Sequence, residues 1–182
     1  MKKLIITAGH SLKAGGASAN GLKEELLAIE LRDLITDAIY QLDPTVKVWK
    51  DTDTDPLSVV IAKTKAVATK DDILFDVHFN SASNKATAGT EAFIAVNARE
   101  KSRRIAERIT ELTAGMLQTK NRGVKLENQS QHSRLGMLHS AASSVLYEVQ
   151  FISNPQAMAT YNEMKDRLAT GIANILIQEL NK

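Results

Sequence analysis

Ile73-Leu74-Phe75-Asp76-Val77-His78 is a short apolar run that ends on a histidine. Its length and its branched and aromatic side chains predict a buried strand, with the histidine at the strand's carboxyl end. Two other segments repeat the pattern. Leu4-Ile5-Ile6-Thr7 leads into Gly9-His10, and Val145-Leu146-Tyr147 leads into Glu148. In an open parallel sheet, side chains just beyond the carboxyl ends of strands converge in one crevice, however distant they are in sequence. Two histidines and a glutamate at such ends predict a shared site, with a metal ion as its natural occupant.

Working outward, strands and helices alternate. A strand from Lys3 to Thr7 opens into a glycine-rich loop, Ser11 to Gly21, of the kind that wraps a site. Glu24 to Leu42 has apolar residues at Leu27, Leu31, Leu34, Ile35, Ala38 and Ile39, which is helical spacing, and Asp43-Pro44 stops it. Val46 to Trp49 is a short strand, and Pro56 suits the first turn of a helix that reaches about Thr69. After His78 come a strand over Glu91–Val96 and a charged amphipathic helix from Arg99 to about Met116. Lys120 to Arg134 is polar and without apolar period, so it reads as a long surface loop beside the site. Val145 to Gln150 is the last strand, and Asn154-Pro155 starts a helix running from about Gln156 to Leu180. The alternation predicts an α/β fold: a single domain whose twisted, mostly parallel sheet is flanked by helices.

Length and composition agree with one domain over residues 1–182. Hydrophobic residues make up 43% of the chain and aromatic ones only 4%, so the core is built from Leu, Ile, Val and Ala. The net charge is +2 with both signs interspersed, which leaves no footprint for a nucleic acid. No stretch approaches the ~20 consecutive apolar residues that cross a bilayer, and the amino-terminal run is too short for a secretion signal. With no cysteine in the chain, disulfides and thiolate zinc sites are excluded, and any metal must take His, Asp, Glu or backbone oxygen.

A hydrolytic zinc is commonly held by two histidines and one carboxylate, with a position left for water. His10 and His78 supply the histidines. The carboxylate is sought among Glu24, Glu25 and Glu30, in the helix close behind the loop that leaves His10. Glu24 is preferred because a side chain at the helix start can turn back toward the loop. Each residue alone has a plainer explanation: a glutamate at a helix start complements the macrodipole, and a lone histidine at a strand end is more often structural. Convergence carries the argument. His132, in the polar loop, and His139, which follows Met137-Leu138 at an expected short strand, are read as substrate-side or structural. Glu148 stands out because it interrupts a largely apolar strand, where burial is costly without a partner. A carboxylate of that kind beside a metal is the usual general base and acid. No His-Glu-x-x-His motif is present, which excludes the common helix-borne metalloprotease arrangement.

In order and spacing these segments resemble the zinc-dependent N-acetylmuramoyl-L-alanine amidases of the third amidase family, found in bacterial cell-wall hydrolases and phage endolysins. The resemblance spans nearly the whole chain. Ile5-Ile6-Thr7-Ala8-Gly9-His10 is similar to the family's opening strand and first zinc histidine, and Asn20-Gly21-Leu22-Lys23-Glu24 to its segment with the zinc glutamate. Asp76-Val77-His78-Phe79-Asn80-Ser81 resembles the His-x-Asn segment of the second zinc histidine, and Gly89-Thr90-Glu91 the Gly-x-Glu strand after it. Leu146-Tyr147-Glu148-Val149-Gln150-Phe151-Ile152-Ser153-Asn154-Pro155 resembles the closing motif with the catalytic glutamate. The chain departs from the family in three places. Ser11-Leu12-Lys13-Ala14 precedes Gly15-Gly16 where consecutive glycines are usual, Gln150 replaces a glycine, and Val60 to Lys65 lacks an arginine common in the second helix.

The resemblance implies a peptidoglycan hydrolase that cuts the amide between N-acetylmuramic acid and the L-alanine of the stem peptide. One zinc ion per chain, on His10, Glu24 and His78, would polarise the carbonyl and activate water, with Glu148 as general base and acid. The same chemistry suits a zinc carboxypeptidase or endopeptidase on stem peptides, and a non-catalytic wall-binding module is the alternative from another class. The expected partner is bacterial peptidoglycan, with neither nucleic acid nor membrane insertion involved. The expected place of action is the cell wall, reached from the cytoplasm through a phage-made membrane lesion.

Overall fold

The computed structural model describes residues 2–182; Met1, where the expected domain begins, lies outside them. In chain order the elements are β1 (Lys3–Ala8), β2 (Ser18–Ala19), β3 (Leu22–Lys23), α1 (Glu24–Leu42), β4 (Lys47–Lys50), α2 (Leu57–Val67) and β5 (Ile73–Asn80). They continue with β6 (Thr90–Ile94), α3 (Glu100–Leu117), β7 (Asn121–Leu126), β8 (Ser143–Phe151) and α4 (Pro155–Asn181), with short 3-10 turns at Glu127–Gln129 and Gly136–His139 before β8. Six strands form one sheet in the order β4-β1-β5-β8-β6-β7, and only the β6 and β8 pairing is antiparallel. This is the expected α/β architecture with a mostly parallel sheet.

The two faces of the sheet differ. Side chains alternate along a strand, so Phe75, Val77 and Phe79 of β5 and Val145, Tyr147 and Val149 of β8 enter the main core with α1, α3 and α4. Their neighbours point the other way. Leu74 and Ile5 pack under Val60 and Met137, while Leu146 and Phe93 pack under Leu138. That second face is covered by one helix and a short turn, and along it the polar residues Asp76, His78 and Glu148 take the remaining alternate positions. Asn154 caps α4 by accepting a 3.0 Å hydrogen bond from Ala157 N–H, with Pro155 at the first helical position.

Two segments differ from the sequence reading. The polar stretch expected as a long surface loop contains β7, which pairs with β6 at the sheet edge. Its polarity is that of a half-exposed edge strand, and an irregular register with Gly123 at φ 80° breaks the two-residue period. His139, expected near a short strand, closes a 3-10 turn instead.

Candidate active site

The amino-terminal half of the site is shaped by close backbone approach. Gly9 N–H donates to the Val77 carbonyl at 2.7 Å, which ties the end of β1 to β5. A Cβ at Gly9 would lie 2.3 Å from the His78 imidazole, and one at Gly16 would lie 2.6 Å from both His10 and a Glu24 oxygen. Only glycine leaves room for these rings. His10 itself holds φ 64°, a left-handed conformation rare for a residue with a side chain and typical of strained functional positions.

Glu24 begins α1 and turns back as expected. Its Oε2 accepts from Ala17 N–H at 2.9 Å and its Oε1 from Phe79 N–H at 3.2 Å. The same carboxylate lies 3.2 Å from His10 Nε2 and 3.2 Å from His78 Nδ1. Burial works against its charge, yet the contacts with His10 and His78 win and hold the Glu24 carboxyl far below the ordinary range. Glu25 serves the loop instead, accepting from Gly16 N–H at 3.0 Å, and Glu30 pairs with Lys165 of α4.

His78 is oriented from behind. Its Nε2 lies 3.1 Å from Asp76 Oδ2, and Asp76 Oδ1 accepts a 2.6 Å hydrogen bond from the Thr7 hydroxyl. This leaves Nδ1 facing Glu24. Burial opposes a charge on His78, but Asp76 together with Glu24 and Glu148 outweighs it and raises the imidazole's pKa well above its usual value. Beyond Asp76, the buried Asp51 accepts from Arg32 Nη1 at 2.9 Å and from Ala8 N–H at 3.3 Å. Burial outweighs the Arg32 guanidinium there and pushes the Asp51 carboxyl up to about 6.

Glu148 is the register partner of His78 across β5 and β8, and of Glu91 across β8 and β6. Its Oε2 is buried with no hydrogen-bond partner. Burial, reinforced by Glu24, Glu91 and Asp76 against the pull of His78, raises its carboxyl to about 7. Glu91 beside it is fully engaged, with Asn80 Nδ2 at 3.0 Å, Arg122 Nε at 2.7 Å and Lys125 Nζ at 2.6 Å.

Ligand atoms of His10, Glu24 and His78 all lie within 4.8 Å of one another. The two 3.2 Å nitrogen–oxygen separations are close to the edge, ~3.3 Å, of a tetrahedron with bonds of ~2.0 Å. Two imidazoles and a carboxylate, one of them held from the outside by Asp76, form a donor set that suits a divalent metal ion. A cation there would also compensate the orphaned Glu148 oxygen.

The sequence reading singled out His10, Glu24, His78 and Glu148, and the structure gathers these four. His139 lies apart, with Nε2 2.8 Å from Glu127, and His132 sits on an exposed loop. A cavity of about 390 Å³ lined by Arg99, Arg134 and His139 is also separate, at the starting end of β8. Sequence reasoning missed Asp76, Asp51, Arg122 and Lys125. A charged residue inside the apolar run Ile73–Phe79 was the available signal for Asp76; the others act through partners far along the chain.

A family model described as N-acetylmuramoyl-L-alanine amidase matches residues 4–178. The uncharacterised protein YqiI of Bacillus subtilis (strain 168) is 31% identical over 154 residues, 84% of this chain and 71% of the relative. An endolysin of Bacillus phage SPP1 is 25% identical over 184 residues, covering 97% of this chain and 67% of that protein. The crystal structure of a Neisseria meningitidis protein assigned as an N-acetylmuramoyl-L-alanine amidase superposes with a TM-score of 0.79 at 26% identity, over 98% of this chain and 96% of the other. With the fold, the gathered residues and these matches together, the chain belongs to the N-acetylmuramoyl-L-alanine amidase family.

Proposed function

We propose that residues 1–182 form the catalytic domain of a zinc-dependent peptidoglycan amidase. Its reaction is hydrolysis of the amide between the lactyl group of N-acetylmuramic acid and the L-alanine of the stem peptide. The observation that carries this reading is Glu148: a part-buried carboxyl with one enclosed, unpartnered oxygen, raised to about 7, next to a His–Glu–His cluster.

His10, Glu24 and His78 would hold one zinc ion. When bound, the ion supplies Lewis acidity toward the scissile carbonyl and makes water more acidic. Glu148 accepts a proton from the attacking water at its carboxylate and returns it to the leaving nitrogen of L-alanine. A carboxyl that titrates near neutral pH is suited to both steps. Asp76 keeps the His78 ring turned toward the cluster, and Glu24 is fixed by the backbone N–H groups of Ala17 and Phe79. The likeness to the SPP1 endolysin supports action on the bacterial wall, and the route proposed for reaching it is release through a phage-made membrane lesion. Among the described residues no helix is long and apolar enough to cross a membrane.

Purified walls incubated with the zinc-loaded protein test the reading. New L-alanine amino termini without new reducing sugars are expected, along with roughly one zinc per chain by mass spectrometry. Amino termini of other residues would identify a stem peptidase instead, and wall binding without any product would identify a binding module.

A further inference from the structure

We propose that the strand order fixes the direction in which the substrate lies: the stem peptide crosses β6 and β7, where Arg122 and Lys125 receive one of its carboxylates. The inference rests on the amidase reading. Across the sheet, β1 and β5 carry the histidine side of the site, β8 carries Glu148, β6 carries Glu91, and β7 forms the edge. A group that returns a proton to the leaving amine must sit next to that amine. The peptide attached to the nitrogen therefore departs from Glu148, away from the His10–Glu24–His78 cluster and onto β6. Glu91 is directly opposite Glu148 in an antiparallel pair, so both side chains rise on the same face.

Charge makes the two directions unequal. On the β1 side, a hollow of about 100 Å³ is lined by His10, Asp55, Asp76 and His78, with neither lysine nor arginine in its wall. Asp55 there is already paired with Lys63 and Asp76 with His78, so no cationic side chain is left over to receive a peptide carboxylate. On the β7 side, one carboxylate, Glu91, faces two cations, Arg122 and Lys125, which leaves a net charge of −1 + 2 = +1. Arg122 engages Glu91 through Nε alone, at 2.7 Å, so its two Nη groups remain for another acceptor. The guanidinium carbon lies 5.0 Å from the centre of the Phe151 ring, a cation–π contact that helps to fix the side chain. Both cations keep solvent access, with side chains 28% and 29% exposed. A planar fork with a free pair of donors is the geometry that takes a carboxylate bidentately.

The test compares two small substrates, N-acetylmuramoyl-L-alanyl-glutamate and its isosteric diamide, using the zinc-loaded protein, Arg122→Gln and Lys125→Gln. The readout is the ratio of kcat/KM for the acid over the amide, which is independent of how much of each variant is folded. The unaltered protein is expected to prefer the acid, and the ratio is expected to drop about tenfold in Arg122→Gln and less in Lys125→Gln. Arg122→Lys should restore part of it. A protein that cuts acid and amide equally, or whose preference survives both substitutions, would overturn the inference and leave the amidase reading standing. Failure of the unaltered protein to cut either substrate, or purified walls, would overturn both.

Discussion

Two glutamates, Glu148 in β8, part-buried with one enclosed oxygen, and Glu179 in α4, fully buried, have received opposite treatment. Glu179 is enclosed by Arg104 at 2.9 Å, Arg108 at 2.7 Å and Lys182 at 2.7 Å. Burial works against its charge, but these partners prevail and lower its carboxyl to about 2. Glu148 has no such cations on its buried oxygen and is raised to about 7. The same side chain is thus a fixed structural anion at one place and a carboxyl that titrates near neutral pH at the other. Burial alone makes neither; the presence or absence of local partners decides.

The largest effect is expected where partners are missing. Glu148→Gln should reduce wall hydrolysis about 10³-fold, within the range of a lost general acid and base, while zinc content stays unchanged. In metal-free protein the same substitution has a signed effect on stability. Folded Glu148 keeps its proton up to about 7 while the unfolded chain releases it near 4.5, so stability declines between those pH values. Chemical denaturation of Glu148→Gln should lack this decline. A variant that is less stable than the parent at pH 8 would refute the comparison.

Glu179→Gln should show the reverse dependence. Its folded carboxyl is depressed, so its stabilisation is full above about 4.5 and disappears as pH falls toward about 2. The variant should lose on the order of 2 kcal/mol at pH 7, with the gap to the parent closing in acid and activity per folded molecule retained. Lys182→Ala sharpens the point at the small end. This lysine is 54% exposed, and its removal should cost about 0.5 kcal/mol or less in the same denaturation experiment.

The legibility of these features in the sequence follows the range of the interactions involved. Helices α1 and α4 carry their own periodicity and stop signals, and the strands that end in His10, His78 and Glu148 announce themselves as apolar runs with one polar residue out of place. Glu24 was favoured over Glu25 because it begins the helix, a local property. By contrast, β7 has no local signal: Arg122 and Lys125 read as solvated loop charges until Glu91, more than thirty residues earlier, is seen beneath them. Asp51 is similar. Its placement depends on Arg32, 19 residues earlier, and its closeness to Asp76 exists only in the folded sheet. The substitution of Ser11-Leu12-Lys13-Ala14 for early glycines is resolved by distance as well, since Gly16 is the residue whose missing side chain makes room for His10 and Glu24.

The central position of β8 has a consequence in time. It lies between β5 and β6, yet it is the last strand to be made. A growing chain that has delivered His10, Glu24 and His78 still has a gap in the middle of its sheet and lacks Glu148. Asn20 then pins the loop behind His10 to the tail of that late strand, donating to the Ile152 and Ser153 carbonyls at 3.1 Å each. Ribosome-bound chains that end before residue 143 therefore lack Glu148 and leave β5 and β6 without their shared neighbour. The centre becomes complete only once the strand that fills the middle of its sheet has been made.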